Sequence, residues 1–143
     1  MRVEDREVDA GHDAYLAIIG AHAEQVGDAM LAMASAAGRA ARSLNAADLA
    51  TAEQAMESVS RYTADFLGEL STTHCPPYLR GANDQLQGAL KLIADGGQRG
   101  ATAARARDGE QLTAAAAEMD TANGDIMAAA QRIADWRSGT ARP

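Results

Sequence analysis

The chain has one cysteine, three prolines, one tryptophan and one phenylalanine among 143 residues, and each scarcity removes a class of structure. A lone cysteine forms no internal disulfide, so the fold is not a disulfide scaffold, and sulfur chemistry leaves secreted and cytosolic homes equally open. Aromatics make up 3% of the chain, and with β-branched residues also sparse, little remains from which strands are usually built. No run approaches the roughly 18 apolar residues that a membrane span needs. Basic excess is missing too. The net charge is −7, whereas phosphate binding needs a basic stripe that displaces counterions, which argues against a nucleic-acid partner. The opening MRVEDREVDAGHDAYL is charged and carries no apolar signal core. The chain as it stands is expected to be soluble, and a mature or trimmed form is compatible with this.

What is abundant is alanine, at 35 positions. It is the best helix former, so composition points to an all-helical protein. The hydrophobic fraction of 47% is therefore largely methyl groups, and the core should be thin and closely packed. At this length one domain, residues 1–143, is expected, burying roughly two thirds of its unfolded surface.

Apolar residues recur at alternating spacings of three and four in four segments, the pattern of one helical stripe. In the first the stripe runs through Tyr15, Ile19, His22, Val26, Ala29, Met33, Ala36 and Ala40, widened by Ile18, Met30 and Ala37. Gly20, Gly27 and Gly38 interrupt it at about 1 kcal/mol each relative to alanine. The second runs through Leu49, Ala52, Met56, Val59, Thr63, Phe66 and Leu70, and the third through Leu79, Ala82, Leu86, Leu90, Ile93, Gly97, Gly100 and Ala104. The fourth joins Leu112, Ala115, Met119, Ala122, Ile126, Ala129, Ile133 and Trp136. Asn45 before Asp48, and Asp108 before Gln111, are N-cap signals for the second and fourth helices.

These stripes predict helices over 11–43, 46–71, 77–106 and 109–138, a flexible arm over 1–10 and a flexible tail over 139–143. Short links make successive helices antiparallel, and four rods of matched length hide one stripe each in an up-down-up-down four-helix bundle.

The stretch STTHCPPYLRG, residues 71–81, gathers one histidine, the cysteine and two prolines. Proline lacks an amide donor and suits a first helical turn, so the pair ends one helix and starts the next, with Thr72 or Thr73 as the expected cap. In a bundle the start of the first helix meets this corner, which makes His12, His74 and Cys75 a metal candidate, with Asp9 or Asp13 as a further oxygen ligand. The spacing is not that of an ordinary zinc site, and the Glu-x-x-His of di-iron bundles is missing. Met30, Met33, Met56, Met119 and Met127 read as inward gap fillers rather than metal ligands. ADGGQRG, residues 94–100, lacks the Lys-Ser/Thr of a phosphate-binding loop. No catalytic motif surrounds Cys75, so the chain is not expected to be an enzyme, and no cofactor is expected. Gly97 and Gly100 on the seam either admit a neighbouring backbone or leave a groove, which His22, Phe66 and Trp136 would help to line.

From His74 onward, HCPPYLRGANDQLQGALKLIADG and ARDGEQLTAAAAEMDTANGDIMAAAQRIADW combine a proline corner, a leucine-lined helix, an Asp-Gly turn and an alanine-rich helix. Residues 74–137 in this respect resemble a group of uncharacterised bacterial helical-bundle proteins, many of them extracytoplasmic or lipoprotein-like, in actinobacteria and their relatives. The resemblance implies a bundle fold and an extracytoplasmic place, and brings no catalytic residues; a lipobox cysteine is not present. Together these readings give a non-catalytic bundle binding an unknown protein or small apolar ligand. The alternative is a metal- or haem-binding bundle using His12, His22 or His74 for redox or sensing. Alanine-rich outer faces such as Ala114 to Ala117 also suit a homo-oligomer.

Overall fold

The computed structural model describes the backbone of residues 3–138 and the side chains of residues 13–135. Four helices follow one another: α1 (Val3–Ser43), α2 (Ala46–Thr72), α3 (Arg80–Arg105) and α4 (Gly109–Ser138), with a 3-10 turn at Pro77–Leu79 and no strand among the described residues. Each helix packs on its neighbours in sequence, and α4 returns to α1, so the four close into a ring. Cross-helix pairs run in opposite senses. Between α2 and α3, Glu53 meets Arg105 and Ser60 meets Ala94; between α3 and α4, Gln85 meets Arg132 and Arg99 meets Glu118. That is the register of antiparallel neighbours, which links as short as 44–45 and 106–108 demand.

The stripes fill the interior. Every described stripe residue of α2, α3 and α4 is buried, and on α1 Ile18, His22 and Ala29 are half-buried while the rest are buried. The largest fully enclosed side chains include Tyr15, Phe66, Met33, Met56, Leu86 and Met119, each large aliphatic one contributing about 1.5–3 kcal/mol by leaving water. Met127 departs from expectation: it is 66% exposed. Ile126 takes the core-facing place, and the next residue turns about 100° away from it. On the same helix Ala115 is buried and Ala116 half-buried, so the outer face within Ala114 to Ala117 is limited to Ala114 and Ala117.

Boundaries shift where local chemistry allows. α1 is helical from Val3, not from residue 11, because the sequence over 3–10 contains no proline or glycine to interrupt a helix; the expected arm over 1–10 is therefore helical from residue 3. The tail over 139–143 lies outside the described residues. At the proline corner the chain makes a 3-10 turn before α3 starts at Arg80. Neither Pro76, the N-cap of the 3-10 turn, nor Leu79, the N-cap of α3, offers a side-chain hydrogen bond. The Thr73 hydroxyl instead donates back to the Glu69 carbonyl at 2.7 Å and that of Thr72 to the same carbonyl at 3.1 Å. The two threonines therefore close α2 and do not cap its successor.

Both remaining turns carry a residue with left-handed backbone, Leu44 (φ 52) and Arg107 (φ 56). At the second, Asp108 N donates to Ala103 O (2.9 Å) and Arg107 N to Ala104 O (3.1 Å), the paired bonds of a Schellman motif. The expected N-caps then start the following helices: Asn45 Oδ1 accepts from Asp48 N at 2.8 Å and Asp108 Oδ1 from Gln111 N at 3.0 Å.

Candidate functional site

The proline corner is reached by α1, but the residue seen there is Tyr15. Its hydroxyl donates to Oδ1 of the buried Asn83 on α3, and the neighbouring Cys75 thiol donates to the Pro76 carbonyl at 3.4 Å. Burial, reinforced by the neighbouring thiol, raises the Tyr15 phenol well above its ordinary value of 10.0. The Cys75 thiol is likewise pushed up, chiefly by burial. A half-buried thiol held protonated is a poor nucleophile and a poor metal ligand. His74 is exposed. The side chain of His12 lies outside the described residues, as do those of Asp9 and Trp136. Among the described residues no three His, Cys, Asp or Glu side chains gather as a metal site would require. Tyr15 and Asn83 were the polar pair that sequence reasoning missed. The available signal was a tyrosine on an inward stripe, since a buried phenol needs a partner.

The proposed groove residues fall into two separate places. His22 stacks on the fully buried Phe66, with ring centroids 5.1 Å apart and planes 18° from parallel. Its Nε2 is 3.0 Å from Oε2 of Glu69, and its Nδ1 is buried without a hydrogen-bond partner. Gly97 and Gly100 belong to another level of the bundle and leave no groove. A Cβ added at Gly97 would stand 2.8 Å from the Met56 carbonyl oxygen and 2.9 Å from Ser60 Cβ, while one at Gly100 would strike the Met56 thioether. These glycines admit α2 closely, and the Ser60 hydroxyl donates to the Ala94 carbonyl at 2.9 Å across the same contact. The missing side chains are replaced by a neighbour's backbone and methionine, so close approach is the outcome here and the groove is not.

Hollows lie on the outside of the bundle. One runs between α3 and α4, an open cleft of about 750 Å³ lined by Leu92, Asp95, Arg99, Ala103, Ala106 and Asp108 among others. A second, of about 270 Å³, continues from Leu92 along Glu118, Ala122 and Asp125. Leu92 is 56% exposed although it sits on a helix whose other leucines, Leu86 and Leu90, are fully enclosed. Sequence reading passed over this residue because it lies off the heptad stripe, and an isolated off-stripe leucine is ordinary surface. No helix among the described residues is long and apolar enough to cross a membrane.

No protein-family model, no curated protein and no solved structure matches the chain.

Proposed function

We propose that this chain is a non-catalytic interaction bundle, meeting a protein or a small apolar ligand on its outer faces, and that it works outside the cytoplasm, as the resemblance of residues 74–137 implies. The supporting observation is the exposure of Leu92 where two surface clefts join. The described interior, by contrast, is filled by stripe residues, and Gly97 and Gly100 are occupied by Met56. A binding function then has to use the surface.

The competing reading is a metal- or haem-binding bundle through His12, His22 or His74, and the unpartnered Nδ1 of His22 favours it. Elemental analysis and an absorption scan of the purified chain decide between the two. Sub-stoichiometric metal and a spectrum without a Soret band are expected; one equivalent of a transition metal, or a Soret band, overturns the interaction reading.

A further inference from the structure

We propose that the α3–α4 cleft docks a basic amphipathic helix supplied by another protein, an apolar side chain of which seats on Leu92 while its lysines or arginines lie over the flanking carboxylates. This inference rests on the interaction reading above and names the surface and the partner's chemistry. Leu92 is the anchor because it lines both hollows. The exposed methyl group of Ala106 extends the apolar surface from it at one end, and the nearly enclosed Ala103 and Ala122 lie beneath the two hollows. The lining residues span 92–106 on α3 and 111–125 on α4, which at 1.5 Å per residue is about 21 Å, or about four turns of a helix. A groove between two nearly parallel rods accepts a third by ridge-into-groove packing.

Charge selects the occupant. Asp95 and Asp108 line the larger hollow, and Glu118 and Asp125 the smaller. Arg99 is the one cation among the lining residues, and it is engaged with Glu118 across the cleft. An acidic rim around an apolar floor draws a basic partner, with the charges setting encounter rate and specificity and the buried anchor supplying affinity. A second copy of this chain, at net −7, is repelled as a whole, and so are anionic lipid and nucleic acid. An incoming lysine competes with Arg99 for Glu118, so Arg99 restrains binding.

The test uses the full chain and a fluorescent 18-residue peptide of leucine and lysine at helical spacing, followed by anisotropy, with a leucine–glutamate peptide as its counterpart. Saturable one-to-one binding of the basic peptide is expected. Leu92→Ser, and Asp95→Asn with Asp125→Asn, weaken it by about tenfold or more, a typical anchor effect. Asp28→Asn with Asp65→Asn, an equal change of charge at exposed sites on α1 and α2, leaves it within about twofold because distant exposed charges are screened. Arg99→Ala tightens binding, which no loss of folding would imitate, and circular dichroism confirms that each variant remains helical. The proposal is overturned if the remote pair weakens binding as much as the cleft pair, if Leu92→Ser has no effect, or if the acidic peptide binds equally. It is also overturned if sedimentation shows that a second copy covers this face. Any of these results in metal-free, colourless protein leaves the broader interaction reading standing, whereas bound metal or haem removes that reading itself.

Discussion

Arg107 donates from Nη2 to the Leu44 carbonyl at 2.9 Å, tying together the two non-glycine residues that adopt left-handed backbone among the described residues. One turn closes α1 and the other closes α3, so this bond holds one end of the bundle across 63 residues of sequence. Left-handed conformation in a residue with a Cβ is unfavourable by about 1–2 kcal/mol, and glycine escapes that. Arg107→Ala keeps the strain and loses the bond, while Arg107→Gly loses the bond and the strain together. The glycine variant should therefore be more stable than the alanine variant by about 1 kcal/mol in chemical denaturation. Equal stabilities would show that the turn is not strained.

Glycines in this chain divide into two kinds that a substitution separates. A Cβ at Gly20 meets nothing within 4 Å, whereas one at Gly97 meets the Met56 backbone at 2.8 Å. Gly20→Ala should raise stability by about 0.8–1 kcal/mol, the helix propensity difference, or a rise in Tm of a few degrees for a domain of this size. Gly97→Ala should lower it by about 1–3 kcal/mol, since the obstacle is backbone and cannot rotate away.

The Tyr15–Asn83 bond is buried at both ends, so Tyr15→Phe leaves a buried amide oxygen unsatisfied at about 1–3 kcal/mol. Replacing both partners, Tyr15→Phe with Asn83→Leu, should recover most of that loss.

The same tyrosine makes a pH prediction. Its folded value lies above the unfolded value of 10.0, so the folded chain keeps a proton that the unfolded chain gives up as pH rises past 10. Its contribution is fully present below pH 10 and is lost progressively above it. Alkaline melting curves should show stability falling in this range, with a shallower fall in Tyr15→Phe. Parallel curves for the two proteins would remove Tyr15 as the cause.

His22 carries a buried, unpartnered Nδ1, and its Nε2 lies 3.0 Å from the carboxylate of Glu69, whose side chain is 57% exposed. An exposed pair contributes little, and an orphaned buried nitrogen is unfavourable. His22→Phe should preserve the stack on Phe66 and leave stability unchanged or higher by up to about 1 kcal/mol. A loss of more than about 2 kcal/mol would show that the imidazole makes an interaction the folded structure depends on.

Helix content, the four inward stripes and the two side-chain caps were legible in the amino-acid order, because each is set by contacts within a few residues. Asn45 caps its own helix, and Leu49 to Leu70 share a face through the 3.6-residue period alone. Relationships between segments were not legible. The period brings Gly97 to the interior, but whether a groove or a neighbouring backbone fills the space depends on how near α2 lies, and the Met56 carbonyl answers that. The stripe likewise puts Tyr15 inside without naming Asn83, which depends on the register of α1 against α3. Leu92 divides between the two: its place off the stripe already puts it on the surface, whereas the hollows on either side of it depend on how α3 packs against α4, which no local pattern encodes.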